Sequence, residues 1–370
     1  MESLMLVAIS DLHMSSGPLD DFQNDRLFVE FLEEMEKVFS EKEKEGEKIN
    51  LLVLNGDILD LLEAPGDHFE SKITGISSAH EAVFQRLNDL AKNYEVLYLR
   101  GNHDWDAFRP GNIDAARALF PHVKVPDDET PEETLIGHYG EGKYRIPYTD
   151  PDGKEVVIHL EHGNQYDEFN NFFYNDPRHP ETSLGYLIVT EIVNFLEIFF
   201  PDLDNLDLMG LAVEVENRLK IVTEEFELDG RSPNLKERGI FTRISRAIRK
   251  IMDDSVSETA EQKLELKIHI ARQLLRWLQS AGDTYLHQAG RMAEPGTNSI
   301  IIFGHTHREK AERVQENTMY INTGTWTRQI RRGESGNFIS VNPRPYVTVH
   351  FDHPLGRIGP EAVNYYKGLI

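Results

Sequence analysis

Short apolar runs between polar turns mark both ends of this chain: Leu4–Ile9, Leu51–Leu54, Val96–Leu99, Val156–Leu160, Ser299–Phe303, Met319–Ile321 and Tyr346–Phe351. Runs of this length predict buried strands. Between the first two, Leu27, Phe31, Met35 and Val38 recur at helical spacing. That stripe predicts an amphipathic helix over roughly Asn24 to Lys44, with Gly46 as its C-cap. A second helix is predicted over about Ala79 to Lys92, before the third strand. Strand, helix, strand, helix, strand is the pattern of an α/β unit with right-handed crossovers.

From about Asn164 to Asn298 the texture changes. Strand-like alternation almost disappears, and helical stripes replace it: Phe241, Ile244, Ile248 and Ile251, then Leu264, Ile268, Ala271, Leu275 and Leu278. This stretch is expected to be a helical insertion between two halves of a catalytic domain. Its most apolar part, Leu184 to Phe200, is short and carries Glu191 and Glu197, so no stable membrane insertion is expected. The acidic loop from Pro126 to Pro131 is expected at the surface. The start, MESLMLVAISDLH, runs from a strand directly into polar residues rather than through a leader and cleavage site. A cytoplasmic location is the expectation.

Composition narrows the classes of chemistry. With 39 Lys and Arg against 63 Asp and Glu among 370 residues, the formal charge is −24. Such a chain repels polyanions at long range, so nucleic acid is a disfavoured partner. It has no cysteine, which excludes disulfides, thiolate catalysis and cysteine-based metal sites.

The candidate chemistry lies just past the strands. Leu4–Ile9 leads into Ser10-Asp11-Leu12-His13, and Leu51–Leu54 into Asn55-Gly56-Asp57-Ile58-Leu59-Asp60. Val96–Leu99 leads through Arg100 into Gly101-Asn102-His103-Asp104. Val156–Leu160 leads into Glu161-His162-Gly163, and Ser299–Phe303 into Gly304-His305-Thr306-His307. One such turn is ordinary on an acidic surface. Five strand ends carrying Asp, Asn or His beside glycine predict a shared crevice at the carboxyl ends of the strands. Oxygen and imidazole donors without thiolate suit Mn²⁺, Fe²⁺ or Zn²⁺.

In order and number these motifs (DLH, GDILD, GNHD, HG and GHTH) resemble those of the calcineurin-like metallophosphoesterases. The resemblance covers about 1–163 and 298–370, the expected catalytic domain, and leaves 164–297 as an insertion or cap. It implies a β-sandwich core flanked by helices, with two divalent metal ions, Mn²⁺ first among them. It also implies that Asp11, His13 and His307 hold one ion, that Asn102, His162 and His305 hold the other, and that Asp57 bridges them. A hydroxide between the ions would then attack a phosphomonoester, phosphodiester or pyrophosphate. His103 would meet the scissile phosphate and protonate the leaving oxygen, and Asp104 would orient His103. Asp60 is read as an orienting residue rather than a ligand. Asn102, His103 and Arg308 are candidate substrate contacts, Asn322 a candidate partner of a ligand histidine, and Trp326 packing.

The bacterial UDP-2,3-diacylglucosamine pyrophosphatases are similar in part, with a DxH start, GDxxD and a terminal GHTH followed by Arg. Their third motif has Arg where this chain has His103, and they lack an insertion of this length, so their substrate does not carry over. A DNA-repair-type nuclease shares the core motifs, and Arg243, Arg246, Arg249 and Lys250 offer a basic helix face. A non-catalytic scaffold of the same fold would have lost ligands, whereas every motif here is filled. The aromatic cluster Tyr166, Phe169, Phe172, Phe173 and Tyr174 follows His162. It is either core or a lid over the metals that would suit an apolar or nucleoside tail. Oligomeric state is open.

Overall fold

A computed structural model describes residues 4–45, 49–66, 68–126, 132–133, 137–140, 142–149, 155–166, 283–293, 296–332, 338–350 and 363–365. Two sheets belong to one compact unit built from residues 1–164, 285–328 and 342–370. The first contains β1 (Leu4–Ile9), β2 (Ile49–Asn55), β3 (Glu95–Leu99), β13 (Pro345–His350) and β14 (Val363–Tyr365), in the order β14-β13-β1-β2-β3. The second contains β4 (Glu132–Glu133), β5 (His138–Gly140), β6 (Lys143–Thr149), β7 (Glu155–Glu161), β8 (Asn298–Phe303), β9 (Lys310–Gln315) and β10 (Thr318–Asn322). Its order is β4-β5-β6-β7-β8-β10-β9. β11 (Gln329–Arg332) and β12 (Phe338–Val341) form a separate antiparallel pair.

The central strands are parallel: β1, β2 and β3 in one sheet, β7, β8 and β10 in the other. β1, β2, β3 and β8 are mostly apolar and buried, as parallel strands covered on both faces are. Leu4, Leu6, Ala8, Leu51 and Val53 share one core with Ile146, Ile158, Leu160, Ile300 and Ile302 of the other sheet. Met5, Val7, Ile9, Leu52 and Leu54 point the opposite way and share a second core with the helices. The expected sandwich with flanking helices is therefore what forms. The five motif-bearing strands are divided between its two sheets rather than lying in one.

Helix α1 (Asp25–Glu45) buries Phe28, Phe31, Leu32, Met35 and Phe39. The buried stripe is displaced from the expected one, since Leu27 and Val38 are only half-buried at its margins. The helix expected over about Ala79 to Lys92 is joined to one not foreseen: α2 (Phe69–Ala79) and α3 (Glu81–Ala91) meet at His80. α4 (Ile113–Leu119) was also not foreseen. α5 (Asp283–Met292) precedes β8. The expected insertion helices and aromatic cluster, apart from Tyr166, lie outside the described residues, as does Gly46. No described helix is long and apolar enough to cross a membrane.

His80 explains the break between α2 and α3. It is 3% exposed. Its Nδ1 donates to Asp25 Oδ1 at 2.8 Å, while Nε2 lies 3.0 Å from the Ser15 carbonyl and 3.1 Å from Asp20 Oδ2. The side chain thus ties the helix junction to the segment that follows the first motif. Burial alone draws this imidazole down, but Asp20 and Asp25 outweigh it and push it up to about 9. A folded value above the free one means stabilisation that is complete below about pH 6.5 and is lost as pH rises through about 9. With Asp25 half-exposed, about 1–2 kcal/mol is expected from these pairs near neutrality. Denaturant unfolding of His80→Gln should show that deficit at pH 6 and a narrowing gap to wild type by pH 10. A gap independent of pH would contradict the assignment.

Candidate metal centre

The carboxyl ends of β1, β2, β3, β7 and β8 come together across the sandwich. Asn55, at the end of β2, joins the sheets: its Nδ2 donates to the Glu161 carbonyl at 3.1 Å, and its own carbonyl accepts from His162 Nδ1 at 2.9 Å. The loop after β8 closes on the same place, with the Gly304 N–H on the His162 carbonyl at 2.9 Å. The loop after β10 completes it, where Thr325 Oγ1 donates to the Asp11 carbonyl at 2.6 Å.

These loops turn sharply, and the ligand candidates themselves take the strained conformation. Six non-glycine residues among those described have positive φ. Five are Asp11 (53°), His13 (50°), Asp57 (51°), His305 (68°) and His307 (55°). Left-handed backbone at a non-glycine residue costs on the order of 1–3 kcal/mol and persists only where its surroundings enforce it. Glycines give the room. A Cβ on Gly101 would strike Asp57, and one on Gly56 would lie 2.5 Å from His162 Nδ1.

Three overlapping groups of donors result, one of them being His13, Asp57 and His103, and the other two lie on either side of it. Asp11, His13 and His307 bring ligand atoms within 4.8 Å of one another, and so do Asp57, His162 and His305. Asp57 stands between the groups, with Oδ2 2.9 Å from His162 Nε2 and 3.9 Å from His13 Nε2. Its Oδ1 accepts the His103 N–H at 2.8 Å. Asn102 is buried in the adjoining loop after β3.

The hydrogen bonds set the tautomers. Because His162 gives its Nδ1 proton to Asn55, Nε2 is the nitrogen turned to Asp57, where it either carries a proton or offers a lone pair to another cation. His13 gives Nδ1 to Asp60 Oδ2 at 3.0 Å, so its Nε2 is the nitrogen that meets His307 Nε2, also at 3.0 Å. Asp11 Oδ1 and His162 Nε2 are buried without a hydrogen bond of acceptable geometry. Lone pairs converging in a buried space repel unless positive charge lies among them, and this donor set fits divalent cations.

Protonation follows the same logic. Burial pushes Asp11 up, but His162, His13 and His307 outweigh it and hold the carboxyl well below its usual range. Asp57 and Asp60 are likewise held low against burial, by His162 and His103 respectively above all. Burial draws His162 down, yet Asp57 and Asp11 raise it to about 9. His13 is raised well above the free value against burial, by Asp11 and Asp60. At His307 burial prevails and lowers the value despite Asp11.

The expected pairing of Asp104 with His103 is not what the structure contains. Asp104 Oδ2 accepts from the Ile58 N–H at 2.9 Å and Tyr98 Oη at 2.7 Å, and Oδ1 from the Gly101 N–H at 2.6 Å. Burial and then the charge of Asp57 raise Asp104 to about 6. It braces the loop from within. Asp60 takes the orienting part, accepting from His103 Nδ1 at 2.7 Å on the same oxygen that holds His13. The physical reason is direction: the turn that places His103 over Asp60 points its neighbour Asp104 into the core.

Asn322 also differs from expectation. Its Nδ2 donates to the Gly304 carbonyl at 2.6 Å rather than to a ligand ring. Trp326 packs as expected, fully buried against Phe28, with its Nε1 on the Pro345 carbonyl at 2.8 Å. Arg308 is exposed beside His307. Asn55 and Thr325 were not foreseen. The signal for Asn55 was an amide ending an otherwise apolar strand.

A buried centre of carboxylates and imidazoles, assembled at strand ends between two sheets and joined by one aspartate, defines a metal-dependent class of protein. The chain belongs to the calcineurin-like phosphoesterase family, whose model matches residues 4–309. The family implies two divalent ions. The DNA polymerase II small subunit of Pyrococcus horikoshii is 27% identical over 168 residues, which are 45% of this chain and 23% of that protein. The chain thus spans less than a quarter of that relative. A dimetal phosphatase from Danio rerio is 12% identical with a TM-score of 0.38, the match covering 99% of this chain and 100% of that one. A 5'-nucleotidase from Candida albicans is 11% identical with a TM-score of 0.33, covering 98% of this chain and 51% of that one.

Asp57→Ala should remove both ions, because it is shared between the two groups. Asp60→Ala should retain at least one, since its carboxylate only holds rings. Metal analysis of the purified variants measures this, and equal stoichiometry in the two would contradict a bridging Asp57.

Proposed function

We propose that this chain hydrolyses a phosphomonoester, phosphodiester or pyrophosphate, with Asp11, His13 and His307 around one divalent ion and Asn102, His162 and His305 around a second. Asp57 is shared between them. The observation that carries this reading is the Asp60–His103 pair set directly against both donor groups. When bound, the ions supply Lewis-acid polarisation of the phosphoryl group and a nucleophile from water. Mn²⁺ is the preferred ion in this reading, with Fe²⁺ or Zn²⁺ as substitutes.

The chain's own part is positioning and proton transfer. Asp60 holds the His103 ring by Nδ1, which leaves Nε2 as the nitrogen that hands a proton to the leaving oxygen as the P–O bond breaks. The side chain of His103 is 17% exposed, enough for water to reprotonate it afterwards. Asp104 keeps the loop in shape, and Asn102 and Arg308 contact the phosphoryl group. Overall charge speaks against polynucleotides as substrate, and the basic cluster from Arg243 to Lys250 lies outside the described residues. The same reading assigns residues 1–163 and 298–370 to the catalytic domain, 164–297 to a cap, and the protein to the cytoplasm.

Chelation should abolish hydrolysis of p-nitrophenyl phosphate, and added Mn²⁺ should restore it. His103→Gln should lower kcat by about 10²–10⁴ with metal content intact, as expected for loss of a general acid. The deficit should shrink for nitrophenyl esters, whose leaving groups need little protonation. A variant that loses its metals instead would make His103 a ligand.

A further inference from the structure

Asp60 can hold two rings only if its own carboxylate is fixed, and one of its anchors leads to a lysine on another element. Its Oδ1 accepts the N–H groups of Leu62 and Glu63 at 2.9 Å and 3.0 Å. That leaves Oδ2 facing His103 Nδ1 at 2.7 Å and His13 Nδ1 at 3.0 Å. The Leu62 N–H and the Leu61 carbonyl are the two ends of one peptide group. Onto that carbonyl Lys72, on α2, donates from Nζ. One peptide earlier, the Leu61 N–H donates to the His103 carbonyl at 3.2 Å. Ring and backbone of His103 are therefore both tied to the pair Asp60-Leu61, and Lys72 clamps that pair from outside.

A neutral donor would satisfy the Leu61 carbonyl equally well, yet a cation stands there. The ammonium is half-buried, and burial lowers it below the usual lysine value in spite of Asp106 and Asp60. Asp106 is itself engaged by Arg109 at 3.0 Å. A cation on a carbonyl oxygen draws electron density along the peptide, which makes the N–H at its other end a stronger donor to a carboxylate. The series runs from the ammonium through the peptide between Leu61 and Leu62 to Asp60 Oδ1, and from Asp60 Oδ2 to His103 Nδ1.

We propose that Lys72 is a positioning residue for the proton donor, acting through that peptide to hold Asp60 and, by way of Asp60, the His103 ring. This rests on the reading of His103 as the general acid. It requires no contact between Lys72 and the substrate. Without the cation the peptide is free to tilt, Oδ1 loses its stronger anchor, and the ring that hangs on Oδ2 loses direction.

The test uses the full chain, as wild type, Lys72→Met, Lys72→Arg, His103→Gln and the double variant K72M/H103Q. kcat is measured at saturating metal and ester on phenyl phosphate and on p-nitrophenyl phosphate. K72M should lower kcat on phenyl phosphate by about tenfold, the size expected for a lost charge-assisted hydrogen bond. The loss should be distinctly smaller on the nitrophenyl ester, whose leaving group needs little protonation. K72R keeps the charge and should recover most of the loss. In the H103Q background K72M should add almost nothing, because it acts through that ring. A deficit equal on both esters, undiminished in the H103Q background, or unrelieved by arginine would overturn the assignment. A second readout uses chelated protein: the NMR amide-proton shift of Leu62 should move upfield in K72M and return in K72R, and an unmoved resonance would also overturn it. If wild type cleaves neither ester with any divalent metal, the phosphoesterase reading fails instead, and the Leu62 resonance alone decides the clamp on Asp60. Should K72M not fold, Lys72→Gln, which can donate but carries no charge, replaces it in every measurement.

Discussion

Lone pairs of buried carboxylates and imidazoles converge at one end of this sandwich, and they cannot stay together without positive charge among them. His162 Nε2 faces Asp57 Oδ2 at 2.9 Å, and His13 Nε2 faces His307 Nε2 at 3.0 Å. His162 and His13 have each committed the other nitrogen, to the Asn55 carbonyl and to Asp60. The displaced proton affinities of Asp11, His13 and His162 express the same conflict. A cation relieves it, whether a proton or a metal ion.

The rest of the fold holds that arrangement in place. Five ligand candidates sit in left-handed backbone, a conformation that local preference opposes. A core between the sheets and a second one between the first sheet and the helices anchor the loops from one side, and hydrogen bonds between loops fix them from the other. Asn55 crosses between the sheets, Thr325 holds the Asp11 carbonyl, and Asp104 gathers Ile58, Gly101 and Tyr98. The strain is thereby spread over a rigid scaffold, which is what a centre needs if its donors are to be ready before ligand arrives.

Asp60 links the centre to its proton chemistry. One of its oxygens accepts from both His13 and His103, and the other from the Leu62 and Glu63 N–H groups at 2.9 Å and 3.0 Å. A candidate metal ligand and the proposed proton donor therefore share one carboxylate oxygen. Any movement of the loop after β2 shifts both together.

The strands and their order along the chain were legible from unbroken apolar runs, because parallel strands covered on both faces must be apolar throughout. The ligand types were legible too, since Asp, Asn and His beside glycine at strand ends have few other uses in such number. What escaped was anything fixed by partners distant in sequence. Strands β6 and β9 carry polar residues on one face and were not foreseen. The helix break at His80 depends on Asp20 and Asp25, which lie more than fifty residues away. The two motifs ending in Asp, GDILD and GNHD, could not reveal which acid serves His103. Chain adjacency favoured Asp104, and only the tertiary turn, which sends Asp104 inward and brings Asp60 beneath the ring, decided the matter. Residue type and strand pattern are local properties of a sequence, whereas the direction in which a side chain points from a folded loop is set by what packs against it.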